Sequence, residues 1–332
     1  MTVSVTIDGE PAPNIPVLQG GKTERVLTDS DGLALIYLDP DVLGDLFVMA
    51  SHPEARVGGT YVNAEDTEAL VQLQRYPAED NPEYEFKKPG EPGNAIVLWE
   101  CGHCHESINE DYASSVHSRA ASNPVLYDVY QGTHGMVEEE DACLKMNGEW
   151  VLKPSPGGGP EAFTCQLEPS VQDLGTRGDC ANCHAPGING KLGDRDLMEA
   201  EGVAYESGVH CDVCHHVESL DPDGSPGVGG ALKILRPLDK PFSEQLGEWK
   251  PLAFGPNGDN VNANMGSVER PFFHEADYCG GCHEQRQEVW AGEIDLDRWP
   301  EGKIPVHSTF SEWEAGPMNP AAPCQSCHMP PN

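Results

Sequence analysis

Five pentapeptides of the form Cys-x-x-Cys-His punctuate the chain: Cys101-Gly-His-Cys104-His105, Cys180-Ala-Asn-Cys183-His184, Cys211-Asp-Val-Cys214-His215, Cys279-Gly-Gly-Cys282-His283 and Cys324-Gln-Ser-Cys327-His328. Two thiols three positions apart can form thioethers to the two vinyl groups on one edge of a porphyrin. The next residue then swings its imidazole under the iron as proximal ligand. The pattern is the attachment signature of c-type haem. Paired Cys-x-x-Cys units also build zinc ribbons, but zinc does not demand His straight after the second Cys. With 13 His in 332 residues, five such coincidences are on the order of one in ten million. A thioredoxin-like motif would stand once in a βαβ context, not five times. The expectation is five covalently attached haem c groups.

Ten of the 12 cysteines are used in this way, which leaves Cys143 and Cys165. Covalent haem attachment takes place outside the cytoplasm, where disulfides also persist, so these two are expected to pair.

Eight histidines remain after the five proximal ones: His52, His103, His117, His134, His210, His216, His274 and His307. Five six-coordinate irons need five more ligands, so composition allows bis-histidine coordination throughout. The candidates are His117, His134, His216, His274 and His307. A helix over 106–121 would set His105 and His117 about 18 Å apart along its axis. His117 is then expected to serve a different haem, unless the helix breaks between them. His215 and His216 are adjacent and must point in different directions; if both are ligands, they bind different irons. His134 lies in the Gly-rich turn Gly132-Thr-His134-Gly135, His274 five residues before Cys279, and His307 between the last two motifs. His103, inside a motif, and His210, just before one, are reserves. His52 reads as a surface loop residue, with ligation of a haem across a domain or subunit boundary as the sharper alternative.

The elements that must position these groups are sparse. Residues 1–75 hold no cysteine and seven short β-type runs: Thr2–Ile7, Ile15–Leu18, Arg25–Leu27, Leu33–Leu38, Asp45–Ala50, Gly59–Val62 and Ala69–Leu73. Turn residues such as Asp8-Gly9 and Gly20-Gly21 separate them, which predicts a small antiparallel β-sandwich. With the turn from Thr28 to Gly32 (Thr-Asp-Ser-Asp-Gly) before a strand, this part resembles the carboxypeptidase-regulatory or transthyretin-like β-sandwich. Asp29 and Asp31 are read as turn residues, because no Glu stands where a calcium-binding EF-hand loop requires one. Residues 76–97, rich in Pro and charge, read as a linker. From 98 to 332 the expectation is a loop-rich, helix-poor multihaem cytochrome c domain with the haems forming its core. Its helix candidates are Glu106–Ala121, Asp194–Glu201 and Thr309–Glu314. With 36 Gly and 29 Pro, the chain is well above average in loop-forming residues.

Around the motifs, Tyr112-Ala-Ser-Ser-Val-His117-Ser-Arg-Ala followed by Asn123-Pro resembles a segment of multihaem cytochromes related to hydroxylamine oxidoreductase. The closing Cys324-Gln-Ser-Cys-His328-Met-Pro330, preceded by Ser311-Glu-Trp313, is similar to the same group. The resemblance covers residues 98–332 and implies bis-His electron-transfer haems packed in stacked and T-shaped pairs. The cross-linking tyrosine and open haem that make hydroxylamine oxidoreductase an enzyme are not identified here, so no catalytic residue is carried over.

Charge excludes whole classes of partner. A formal charge of −35 disfavours nucleic acid and anionic lipid, which both need Lys and Arg. It divides as −11 over 1–97 and −24 over 98–332, a bulk surface property and not a docking patch. No apolar run approaches the ~18 residues of a membrane span. The reading is an electron carrier or conduit that partners other redox proteins or copies of itself. One version, resembling extracellular cytochrome filaments, is a repeating polymer subunit; the rival is a multihaem oxidoreductase acting on a small nitrogen or sulfur compound. Haem attachment requires export, and the opening Met1-Thr-Val-Ser has no basic, apolar signal region. A signal peptide is therefore expected to have been removed, with an extracellular or cell-surface destination preferred to the periplasm.

Overall fold

The computed structural model describes residues 1–97, 100–175, 177–238, 251–261, 265–288 and 293–330. The chain divides into two compact units: Met1–Asn81 with Leu235–Glu275, and Pro82–Ile234 with Ala276–Asn332. The expected boundary at residue 98 lies outside the described residues.

The first unit is built from β1 (Thr2–Ile7), β2 (Glu10–Pro11), β3 (Pro16–Gln19), β4 (Val26–Leu27), β5 (Leu33–Leu35), β6 (Phe47–His52), β7 (Ala55–Tyr61) and β8 (Glu68–Arg75). Each of the seven β-type runs corresponds to one of these strands. The addition is β2, a two-residue return after Asp8-Gly9, where both turn residues take positive φ, as a tight hairpin turn demands. Hydrogen bonds order the strands β2-β1-β8-β7-β6-β3-β4, with β5 also on β1.

The sheet is not wholly antiparallel as expected: β1 runs parallel to β8, from Thr2 opposite Glu68 to Ile7 opposite Leu73. These strands are first and last in the sheet, so no short turn forces them antiparallel. β8 gives Glu68–Leu73 to β1 and its last two residues to β7. Period-two alternation sends Val3, Val5 and Ile7 inward beside Val71 and Leu73, where they meet Val17, Val48 and Ala50 in one core. Burying each such side chain is worth about 1.5–3 kcal/mol. The Thr28–Gly32 turn is locked by its own polar groups. The Asp29 carboxylate accepts from the backbone N–H of Asp31 and Leu33, and Thr28 Oγ1 accepts from Ile15 N–H while donating to Ala12 O.

The segment 235–275, expected to be part of the haem-bearing region, joins this first unit. Arg236, 1 % exposed, makes a fork to Asp80 with Nε–Oδ1 3.0 Å and Nη2–Oδ2 2.6 Å, and its N–H adds a third bond to Oδ1. Arg270 donates to Tyr76 Oη and Pro53 O, and Glu269 accepts from Arg25 and from Ser51 Oγ. Parallel strands Leu252–Gly255 and Gly266–Glu269 bring Leu252, Phe254 and Val268 into a second apolar cluster with Tyr76 and Leu235.

The second unit contains α1 (Glu106–Ser114), α2 (Pro124–Gln131), α3 (Glu140–Lys145), α4 (Cys180–His184), α5 (Gly202–Ser207), α6 (Cys211–Cys214), α7 (Ala276–His283), α8 (Thr309–Glu314) and α9 (Gln325–His328). Among the described residues no helix is long and apolar enough to cross a membrane. The helix expected over Glu106–Ala121 stops at Ser114. Ser115 is extended, the hydroxyls of Ser114, Ser115 and Ser118 bond to nearby carbonyls, and the chain resumes as a 3-10 turn at His117–Arg119. Hydroxyls that bond locally in this way compete with the helical ladder. The helix expected at Asp194–Glu201 is also corrected, to a 3-10 turn at Leu197–Glu199 started by the Asp196 carboxylate. Thr309–Glu314 is helical as expected. No strand or helix occurs between residues 76 and 97 among the described residues. The main cluster of buried apolar groups is modest: five of its nine members are alanine, with Tyr127, Tyr130, Ile188 and Leu197 completing it.

Candidate metal centres

All five Cys-x-x-Cys-His motifs fall in the second unit, each on a short helical turn: the 3-10 turn Cys101–His103, α4, α6, the end of α7, and α9 with Cys324 as its cap. Helical geometry puts positions i, i+3 and i+4 on one face. Both thiols and the imidazole of each motif therefore share a side. The turn is closed by His105 N–H to Cys101 O (3.0 Å), His215 N–H to Cys211 O (2.9 Å) and His328 N–H to Cys324 O (3.0 Å).

The motifs lie against one another. The thiol of Cys101 lies close to that of Cys211, Cys183 to Cys282, and Cys279 to Cys324. Tyr278 Oη donates to Cys214 O at 3.0 Å. The first motif thus meets the third, the third meets the fourth, and the fourth meets both the second and the fifth.

The histidines follow the same grouping. The His283 ring lies 6.0 Å from that of His117 and 6.2 Å from that of His307, centre to centre. Two imidazoles sharing one metal, with metal–nitrogen bonds of about 2 Å, stand about 6 Å apart. Burial lowers the pKa of His117, of His184 and of His283, the last also through its neighbouring histidines. These rings are then neutral near pH 7, the form that ligates a metal.

His210 is fully buried and pushed down to about 4 by that burial, and neither ring nitrogen finds a hydrogen-bond partner. His216 is 2 % exposed, with Nδ1 on Asp212 O and Nε2 unpartnered; His307 Nδ1 is also buried and bare. A buried polar atom without a partner costs about 1–3 kcal/mol and is rare in native proteins. Five thiol pairs, each with an imidazole on the same face, and orphaned imidazole nitrogens among them are a donor set that fits covalently attached haem.

The remaining predicted residues are placed differently. His134 pairs across a short strand with Cys165, beside the Cys143–Cys165 disulfide (Cα–Cα 5.4 Å). His274 falls in the first unit, where Nε2 meets Pro256 O at 3.3 Å. His103 Nδ1 contacts Ala95 O at 3.0 Å and its side chain is exposed. Glu54 N–H donates to His52 Nδ1, which puts the proton of the neutral ring on Nε2, the nitrogen that would have to be bare to bind iron. Sequence reasoning ranked His210 only as a reserve; its place next to Cys211 was the one local signal.

The family model of cytochrome c554 and c-prime matches residues 161–216. The matched stretch is about a sixth of the chain and holds the second and third motifs, His210 and His216. The match supports a c-type cytochrome. It carries with it covalently bound haem c and a role in electron transfer. No curated protein matches the chain.

Proposed function

We propose that the chain transfers electrons through five covalently bound haem c groups, one at each motif, with histidine on both faces of each iron. The observation that carries this reading is the mutual contact of the five motif turns in one unit, with imidazole rings about 6 Å apart at His117, His283 and His307. The bound haems supply reversible one-electron chemistry. The chain's part is to hold them close, keep the ligating imidazoles neutral and surround them with carboxylates that favour the ferric state.

Transfer proceeds between haems, to other redox proteins, or between copies of this chain in an extracellular filament. An oxidising compartment is supported by the Cys143–Cys165 disulfide and by the chemistry of haem attachment. The test is the haem content of protein made in a host competent for cytochrome c maturation. A pyridine haemochrome assay with intact mass is expected to give five haems per chain; fewer would overturn the count. Electron microscopy of the same material at high concentration decides the filament: fibres support it, and a strictly monomeric species rejects it.

A further inference from the structure

Inside the third motif lies a buried carboxylate that thioether attachment does not use. Asp212, 8 % exposed, accepts from Tyr84 Oη at 2.8 Å and from Lys87 N–H at 2.7 Å, both through Oδ2. Its other oxygen, Oδ1, faces His216 Nδ1 at 3.4 Å, while Asp212 O contacts the same nitrogen at 2.5 Å. Tyr84 also packs edge-on against the His216 ring, 5.0 Å between centres. Nδ1 is therefore held as the donor, and the buried, unpartnered Nε2 is left as a bare lone pair. Metal-ligating histidines have this arrangement: the far ring nitrogen donates to a carboxylate or carbonyl, which fixes the tautomer and raises the basicity of the ligand.

We propose that Asp212, held in place by Tyr84 and Lys87, is a positioning residue that makes His216 a strongly donating axial ligand and so lowers the reduction potential of one haem. The proposal rests on the haem reading above. The carboxylate charge at Oδ1, 3.4 Å from Nδ1, polarises the Nδ1–H that Asp212 O accepts, which would add electron density to the iron and stabilise its ferric form. Asp212 touches neither iron nor porphyrin in this scheme.

Two substitutions then act in opposite directions. Asp212→Asn removes the negative charge and is expected to raise one of the five potentials by about 59 mV or more, a tenfold change in a one-electron equilibrium. Tyr84→Phe removes a donor from the carboxylate, leaves its charge freer to act on His216, and is expected to lower the same potential. His216→Gly is expected to convert one haem of five from low-spin to high-spin in electron paramagnetic resonance. The experiment is a spectroelectrochemical titration of the holoprotein and its variants, with haem content measured on each. Protein without covalent haem would overturn the underlying reading and this one with it. Five haems per chain, with potentials that stay fixed or move the same way in both variants, would overturn this inference alone. Tyr84→Phe, the mildest change, keeps the question answerable if Asp212→Asn does not fold.

Discussion

At the scale of single residues the informative quantity is which nitrogen of each histidine is occupied. His283 faces two other imidazoles, His117 and His307, and on the proposed reading only one of them can share its iron. His307 also lies near His184, so removing it should empty one coordination position and leave the remaining haems intact. His307→Gly is expected to give one high-spin ferric haem with haem content unchanged; uniformly low-spin spectra would show that His307 is not a ligand. The five Cys-x-x-Cys-His motifs are legible in the sequence because thioether chemistry would fix both residue type and spacing. The burial of the other histidines is not. His210 and His274 each stand just before a motif, yet one is completely buried with two bare nitrogens and the other sits exposed in the first unit. Burial is decided by chain segments far away, such as Phe86 against the His210 ring, and no local pattern encodes it.

At the scale of elements, the hairpin of Glu149–Ser155 and Gly159–Gln166 is anchored to α3 by Cys143–Cys165, with Thr133–His134 added as a third strand. A cross-link closing a loop of 22 residues stabilises by about 3 kcal/mol on the chain-entropy estimate. Replacing both cysteines by alanine should lower unfolding free energy by that amount in denaturant titration, with haem content retained. Gly148 supports the same cross-link: a Cβ there would stand 2.7 Å from Cys165 Sγ and 2.8 Å from Cys143 Sγ. Gly148→Ala should therefore destabilise the oxidised protein more than the disulfide-free one, which a double-mutant cycle would read directly. The strands of the first unit could be read from alternation and turn residues, since Val3, Val5 and Ile7 each point inward. α1 is shorter than its sequence pattern suggests, because Tyr112-Ala-Ser-Ser-Val continues a helical pattern while its serine hydroxyls take the carbonyls that would extend it. The parallel β1–β8 pair was invisible in sequence, for register between distant strands comes from packing and not from a turn.

At the scale of the whole molecule, the acidic excess is spread along the chain and the motifs are concentrated in one unit. The first unit is assembled from two stretches of chain, and the buried Arg236–Asp80 fork is its principal polar clasp. Removing the Asp80 carboxylate from Arg236 should cost about 3 kcal/mol, the low end for a buried pair, since Asp80 is itself 34 % exposed. Asp80→Ala is expected to lower the melting temperature while leaving all haems attached; an unchanged melting curve would show that water replaces the carboxylate. The clasp also imposes a timetable. Its two ends lie 156 positions apart in the chain, and contacts of such separation form slowly because a long loop must close first. A polypeptide translocated N-terminus first presents Cys101, Cys180 and Cys211 before Arg236 has emerged. Maturation of the first three attachment points is thus expected to precede completion of the β unit. Pulse-labelled chains sampled before Arg236 is made should carry haem while the stretch around Asp80, which lacks its clasp, is still open to protease.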